Sequence, residues 1–459
     1  MRSVTELTTE VLEQAGLSPG KIRDWSLSTP PSLESFEAAA QALSGFLARG
    51  AALDERLPAA AGRSDVEQAA AGALGAALAA ARVAFLDAHA AELYDRLTAG
   101  CSRPIRLERL LDEAAGLVPG LVPSPAEMEA ERRLPLSDKR GLELAQGLLV
   151  EQVLALPRAG RHLIESMLAP TPEALEMLPR YLASGVGDFG AARVTRQGRA
   201  AVLELRNPRH LNAEDGATLA PTESAVDLVV LDPETEVGVF RGAVVEHPRY
   251  AGERVFGSGI NLTHLYRGRI DFLFYLVRDL GYVSKIYRGL ITQDGPVEKL
   301  WIAAVERYAI GGGCQLLHVV DHVIATRGSR LYLPARREGI IPGASNLRLP
   351  RAVGDRAARQ AILSGREWTA GEADADLLID EVTEPGDMDA AIASRVEELT
   401  SSGLVNAAAN RRALRVGQEP LELFRRYMAT YAHEQAYCHL SPALVRNLEQ
   451  HWDAARRAE

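Results

Sequence analysis

Residues 309–323 read AIGGGCQLLHVVDHV, and Gly311, Gly312 and Gly313 within that run could bring a ligand against bare backbone. Three successive glycines remove every Cβ, and a helix starting behind them leaves N–H groups unsatisfied at the positive end of its dipole. An anion or a developing oxyanion suits that place. The triplet alone is equally what a tight strand-to-helix turn requires. A phosphate loop ending in Gly-Lys-Ser/Thr is disfavoured, because Gln315 stands where its lysine would be sought. A second glycine-rich segment, Phe256-Gly-Ser-Gly-Ile-Asn-Leu262, occurs earlier and also precedes a helical stretch. Two such segments are far more specific than one.

Other reactive types lie nearby. His318 and His322 are four apart in HVVDH, the spacing of zinc-protease ligands on a helix face. The Glu that should follow the first His is Val319, and no third ligand is identifiable, so a metal is not expected and His318 reads as a core residue. Cys314 beside the turn would be activated by a helix N-terminus only if its thiol were presented; the expectation is that it points into the packing.

The elements that must hold these residues can be read from texture. From Leu33 to about Ala183 the chain is rich in Ala, Leu, Glu and Arg and reads as helix, with blocks at 66–97, 139–156 and 172–182, the last with Thr171 as N-cap. Pro119 to Pro125 reads as a loop. Beyond Gly185 short β-rich runs begin: 193–195 and 200–205 around a Gln197-Gly198 turn, then 225–231 (AVDLVVL) and 237–245. Residues 268–288 read as helix, 300–305 as strand, 314–318 as helix and 323–326 as strand, an α/β alternation; after Asp387 the chain is helical again, with Pro420 and Ser441-Pro442 opening helices.

Composition bounds the partners. The 459 residues carry 51 basic and 61 acidic side chains, a net charge of −10, with 47% hydrophobic residues. That is the profile of a globular chain, and its acidic excess argues against nucleic acid. Cys101, Cys314 and Cys438 form no metal pair or disulfide framework, and suit a reducing cytoplasm. The polar start MRSVTELTTEVLEQAG has no secretory apolar region, and no run is expected to span a membrane. The Ala/Gly-rich stretch Gln68 to Ala81 reads as packed helix.

The pair of glycine segments resembles the crotonase superfamily, in which an FxxGxDL segment and a later GGGxE segment each give one backbone N–H to an acyl-CoA thioester carbonyl. LRNPRHLNA at 205–213 and EGIIPG at 338–343 resemble further stretches of that family, and the likeness covers roughly residues 187–395. The resemblance implies an α/β fold: a crotonase-like ββα spiral core at 187–395, a large α-helical N-terminal domain at 1–186 and a C-terminal helical tail at 396–459. It implies that Ile260 and Gly312 supply the two oxyanion N–H donors. Hydratases of the superfamily resemble one another in two glutamates, whose places here hold Gln315 and Ala335, so water addition by paired carboxylates looks disabled.

Longer runs, INLTHL at Ile260, LGYVSKIYRG at Leu280, AIGGGCQLL at Ala309, EGIIPGASNLRL at Glu338 and LLIDEV at Leu377, resemble a branch of cofactor-independent arylacetyl-CoA dioxygenases from glycopeptide-antibiotic pathways. The connector Thr292 to Val297 is shorter than that branch leads one to expect. The resemblance implies conversion of (3,5-dihydroxyphenyl)acetyl-CoA and dioxygen to 3,5-dihydroxyphenylglyoxylate and coenzyme A through a thioester enolate, with no metal and no cofactor. Glu214 and Arg278 would contact the ring hydroxyls, and Gln315 would lie beside the thioester and dioxygen. It also implies a homo-oligomer, a trimer or dimer of trimers, with the tail packing on neighbours. Plainer readings stay open: Glu214 as a first-turn helix carboxylate, Arg278 paired with Asp279 or snorkelling, Gln315 as a cap, and Lys285 and Arg288 as surface charges or contacts to coenzyme A phosphates. An acyl-CoA lyase or thioester hydrolase that does not use dioxygen, or a non-catalytic acyl-CoA-binding scaffold, are the alternatives.

Overall fold

The computed structural model describes residues 4–30, 35–59, 62–401 and 403–457; Met1 to Ser3 of the polar start and Leu33 lie outside these. The chain divides into two compact units that do not follow chain order: Met1–Leu163 with Tyr266–Leu273 and Met428–Val445, and Ile164–Leu265 with Phe274–Tyr427 and Arg446–Glu459.

The first unit is helical. Its longest helix, Asp65–Thr98, opens with a capping box in which Ser64 and Glu67 satisfy each other's backbone N–H groups. By length and composition this helix could cross a bilayer, contrary to the expectation that no run is apolar enough, and 28% of its most apolar window is buried. Within Gln68 to Ala81 only Ala70, Leu74 and Ala77 are buried, so the stretch packs along one narrow stripe rather than all round. Of the Lys139 to Leu156 block, Glu143–Ala155 is helix; the short turn Leu136–Asp138 precedes it. Glu143 is fully buried and accepts from His439 Nε2 (3.0 Å), from the Phe272 N–H (2.8 Å) and from Lys139, which is why three distant stretches of chain meet there. Burial works against its charge, but His439 and Lys139 outweigh it and hold the carboxyl down at about 2.

The second unit is α/β. Among the described residues twelve strands occur in chain order: β1 Val186–Asp188, β2 Ala192–Gln197, β3 Ala200–Leu205, β4 Val237–Gly242, β5 Leu290–Thr292, β6 Gly295–Val297, β7 Leu300–Val305, β8 Tyr308–Ile310, β9 His322–Thr326, β10 Arg330–Tyr332, β11 Glu367–Thr369 and β12 Glu381–Thr383. The main sheet runs β1-β2-β3-β4-β7-β9-β12, antiparallel as far as β3 and parallel beyond it; β11-β10-β8 form a second sheet and β5-β6 a hairpin. Strand periodicity sorts the side chains: Trp301, Ala303 and Val305 face one apolar core, Leu300, Ile302 and Ala304 the other, which the helix Met388–Thr400 covers with Met388, Ile392 and Val396. The stretch Ala225 to Leu231, expected as strand, is instead the second half of the helix Gly216–Leu231. Ala225 through Val230 are all buried, and a helix buried all round shows no 3.6-residue signal, while its valines mimic a core strand.

Candidate active site

Two glycine segments meet because nothing intervenes. Gly257 pairs with Ala309 in the middle of β8, its N–H donating to Tyr308 O (3.0 Å) and its carbonyl accepting from the Ile310 N–H (3.0 Å). A Cβ on Gly313 would stand 2.9 Å from the Gly257 carbonyl oxygen, and one on Gly259 3.1 Å from the Ile310 oxygen and 3.5 Å from the Gly312 nitrogen. Gly259 (φ +86°) and Gly311 (φ +51°) also adopt conformations that side chains disfavour. The glycines thus let the Ile260 turn lie against the start of the helix Gly312–Leu316. The N–H groups of Ile260 and Gly312 have no acceptor among the described residues.

Below this turn lies a buried polar cluster. Glu214 is held in place by a bridge to Ile260, its N–H donating to Gly259 O (2.7 Å) and its carbonyl accepting from Asn261 N–H (2.8 Å). Its carboxylate receives Arg278 Nε (2.5 Å), Arg278 Nη2 (2.9 Å) and the Tyr282 hydroxyl. Arg278 also donates to Gly312 O (2.9 Å), Gln315 Oε1 (2.8 Å) and Asp279 Oδ1 (3.1 Å). The four sequence-predicted positions Glu214, Arg278, Gly312 and Gln315 therefore form one network, and Ile260 is the backbone neighbour of Glu214. The partner Arg278 takes is chiefly Glu214, with Asp279 second.

Local chain geometry produces this convergence. The helix Phe272–Arg278 widens into a π turn, Asp279–Val283, where Gly281 leaves helical geometry (φ −85°, ψ −116°), and then continues as Ser284–Arg288. A π turn inserted into a helix is a frequent device at functional sites. It brings Arg278 and Tyr282 to one carboxylate, with the guanidinium carbon 5.3 Å from the tyrosine ring centre. Burial works to lower the Arg278 pKa, yet Glu214, Tyr282 and Asp279 raise it well above the usual value. For Asp279 burial wins and raises the carboxyl, despite Arg278 and Arg348; burial likewise raises the Tyr282 phenol.

Tyr282 and Asp215 join this cluster and were not singled out in the sequence, where Asp279 figured only as a partner for Arg278. Asp215 caps the helix Gly216–Leu231 through the Ala217 N–H (3.0 Å), and its other oxygen takes Asn207 and Asn261 (3.2 Å each) and lies 3.1 Å from His264 Nδ1. The signal was present: an Asp before a Gly at a helix start, and a Tyr four residues after the Arg.

Other candidates separate from this centre. The helix expected at Cys314 to His318 is Gly312–Leu316, and His322 belongs to β9, so the two histidines share no helix face. Burial holds His318 down at about 3 and pushes the Cys314 thiol up to about 12, leaving a neutral imidazole and an inert thiol. Among the described residues no group of three His, Cys, Asp or Glu side chains could hold a metal ion. Lys285 is neither a surface charge nor open to a phosphate: it is fully buried between Glu223 (2.7 Å) and Asp227 (2.9 Å). Arg288 pairs with buried Glu419 (2.6 Å), which also binds Arg348 (2.9 Å) and Arg351 (2.6 Å).

Comparison with known proteins identifies relatives of this chain. Residues 195–436 match the family described as enoyl-CoA hydratase/isomerase. The (3,5-dihydroxyphenyl)acetyl-CoA 1,2-dioxygenase of Amycolatopsis orientalis is 47% identical over 386 residues, covering 83% of this chain and 88% of that protein. The crotonyl-CoA hydratase of Syntrophomonas wolfei is 28% identical over 222 residues, 47% of this chain and 79% of that protein. A crystal structure of an enoyl-CoA hydratase from Mycobacterium avium subsp. paratuberculosis covers 58% of this chain and 97% of its own, at 21% identity and a TM-score of 0.48. The family match over more than half of the chain, and the long alignment with the Amycolatopsis protein, establish that this chain belongs to the enoyl-CoA hydratase/isomerase, or crotonase, family.

Proposed function

We propose that the protein is a metal- and cofactor-independent dioxygenase that converts (3,5-dihydroxyphenyl)acetyl-CoA and dioxygen to 3,5-dihydroxyphenylglyoxylate and coenzyme A, supplying a precursor of 3,5-dihydroxyphenylglycine for glycopeptide-antibiotic synthesis. The observation that carries this reading is the 47% identity, over most of both chains, to a protein of that name. The site chemistry supports it. Two unengaged N–H donors at Ile260 and Gly312 can stabilise a thioester enolate, a contribution of about 3–4 kcal/mol per donor in comparable sites. Gln315 and Ala335 occur where family hydratases hold carboxylates, so the enolate is not routed to water addition.

The proposed reaction needs no metal. Loss of an α-proton gives an enolate conjugated with the aryl ring, rich enough to transfer an electron to dioxygen; the Cα peroxide formed then attacks the thioester carbonyl and expels the thiol. The two oxygen atoms finish in the ketone and the carboxylate. Gln315, oriented by Arg278 Nη1, stands beside the thioester in this reading, and Glu214 and Arg278 recognise the ring hydroxyls. Self-association through the C-terminal region is part of the same proposal: Val405 and Val416, eleven residues apart and so on one face of the helix Leu404–Gln418, are 85% and 74% exposed, a surface that a second copy would cover.

The test is dioxygen uptake and thiol release with this thioester after exhaustive chelation, with isotopically labelled dioxygen. Both labelled atoms in the arylglyoxylate support the reading. Thiol release without oxygen uptake replaces it with a thioester hydrolase, and loss of activity on chelation removes metal independence.

A further inference from the structure

An enolate mechanism requires a base, and most carboxylates around the glycine turn are already committed. Glu214 already accepts from Arg278 twice and from Tyr282, Asp279 accepts from Arg278 and from the Ala344 N–H (3.0 Å), and Asp215 is held by Asn207, Asn261 and His264. Glu338 differs. It is half-buried, yet has no hydrogen bond or ion pair to its carboxylate among the described residues. Leaving a carboxylate shielded and unpaired costs stability, and such groups concentrate where chemistry is done.

The chain on either side of Glu338 contacts the site. Glu338 ends the single helical turn Ala335–Glu338, its N–H donating to the carbonyl of Pro334 (3.0 Å). Residues i and i+4 share a helix face, so Glu338 stands over Pro334 at a rise of about 6 Å. Pro334 itself packs on the oxyanion turn: its Cδ would be 3.7 Å from a Cβ on Gly311, whose N–H donates to Tyr332 O (3.0 Å) just upstream. Downstream, the chain returns to the same centre at Gly343, where a Cβ would be 2.6 Å from Gln315 Oε1 and 2.5 Å from Asp279 Oδ2. Glu338 is thus carried between two contacts to the oxyanion turn and its amide. The ionisable neighbours are few: the Tyr332 phenol on β10 feels its charge, and Arg336 and Arg337 of its own turn are exposed.

We propose that Glu338 is the general base that removes the α-proton of the bound acyl-CoA thioester. The inference rests on the enolate chemistry of the reading above. In the step, the Cα–H bond breaks, the proton passes to Glu338, and the electron pair moves into the thioester, its oxygen held by the Ile260 and Gly312 N–H groups. Dioxygen then takes electrons from the enolate and bonds to Cα. Attack of the peroxide on the carbonyl breaks the C–S bond, and the thiolate leaves with the proton from Glu338. As the O–O bond breaks, the second Cα–H proton goes to the regenerated carboxylate, and dioxygen is fully reduced by the oxidation of Cα from CH2 to ketone. Burial pushes the Glu338 carboxyl up to about 8, a value that makes it a stronger base than an ordinary glutamate while leaving it ionised in mild alkali.

Two measurements on wild type, Glu338→Gln and Glu338→Asp test this with (3,5-dihydroxyphenyl)acetyl-CoA: dioxygen uptake from pH 6 to 10, and anaerobic exchange of the α-protons in deuterium oxide. Expected for Glu338→Gln is a loss of about 100-fold or more in both rates, with substrate Kd within about 3-fold of wild type, and partial recovery in Glu338→Asp. The wild-type rate should rise with pH through a midpoint near 8 that Glu338→Asp displaces. Undiminished exchange and uptake in Glu338→Gln overturn the base while leaving the dioxygenase reading intact. Wild-type exchange without uptake leaves the base and sinks the dioxygenase, and a wild type that does neither overturns both.

Discussion

Single atoms decide the oxyanion turn. Adding one methyl group at Gly259 places a Cβ 3.1 Å from the Ile310 oxygen and 3.5 Å from the Gly312 nitrogen, at a φ of +86°. Gly259→Ala should therefore separate the Ile260 and Gly312 donors and lower kcat by about 100-fold, the effect of losing one preorganised donor, while the protein stays folded by circular dichroism. Arg278 is a different case, because its side chain is 5% exposed and its partner Glu214 7%. Truncation leaves an unpaired buried carboxylate, and such losses cost about 3–5 kcal/mol of stability. That penalty falls on every substrate alike. In Arg278→Ala, kcat/KM for (3,5-dihydroxyphenyl)acetyl-CoA should fall much further than for phenylacetyl-CoA; equal losses on the two would remove ring recognition from Arg278.

Elements are joined by buried charges that make the fold sensitive to acid. Glu419, fully buried, gathers Arg288 from the helix Ser284–Arg288 with Arg348 and Arg351 from the helix Ser345–Arg359. Burial alone would raise its carboxyl, but the three guanidinium groups outweigh that and hold it down at about 2. A depressed carboxylate stabilises the fold above its ordinary value of 4.5 and loses that contribution as pH falls from there towards 2. The contribution is on the order of 3 kcal/mol, since each tenfold change in proton affinity is worth about 1.4 kcal/mol. Urea denaturation at stepped pH should show the decline in wild type and a shallower one in Glu419→Gln, which starts less stable at pH 7. Asp215 acts as the cap of the helix Gly216–Leu231. Its replacement by Ala should cost about 1–2 kcal/mol from the cap, and should also loosen Asn261 beside the Ile260 donor.

At the scale of the whole molecule, the exposed Val405 and Val416 bear on assembly. Sedimentation equilibrium of the wild type should give three or six times the 49.6 kDa chain mass, and Val405→Asp with Val416→Asp should shift it towards one. A wild type that sediments as a monomer would remove the homo-oligomer from the proposal.

Much of this was legible in the residue order. The helical blocks at 66–97 and 172–182, the β2–β3 hairpin around Gly198 and the strand β7 follow from caps, turn residues and apolar runs, which act within a few residues of chain. The glycine segments were legible for the same reason, since absence of a Cβ is a property of the residue itself. Tertiary structure decided the rest. It turned the valine-rich run 225–231 into helix, because burial on every side erases periodicity. It took Lys285 and Arg288 inward to carboxylates that lie far away in sequence, and it split HVVDH between a turn and a strand. It also separated Glu338 from the acids around it: Glu214, Asp279 and Asp215 each found partners from other elements, and Glu338 found none among the described residues. Sequence determines which groups are available, but whether a charge is paired depends on what the fold packs against it, and that information is carried by contacts distant along the chain.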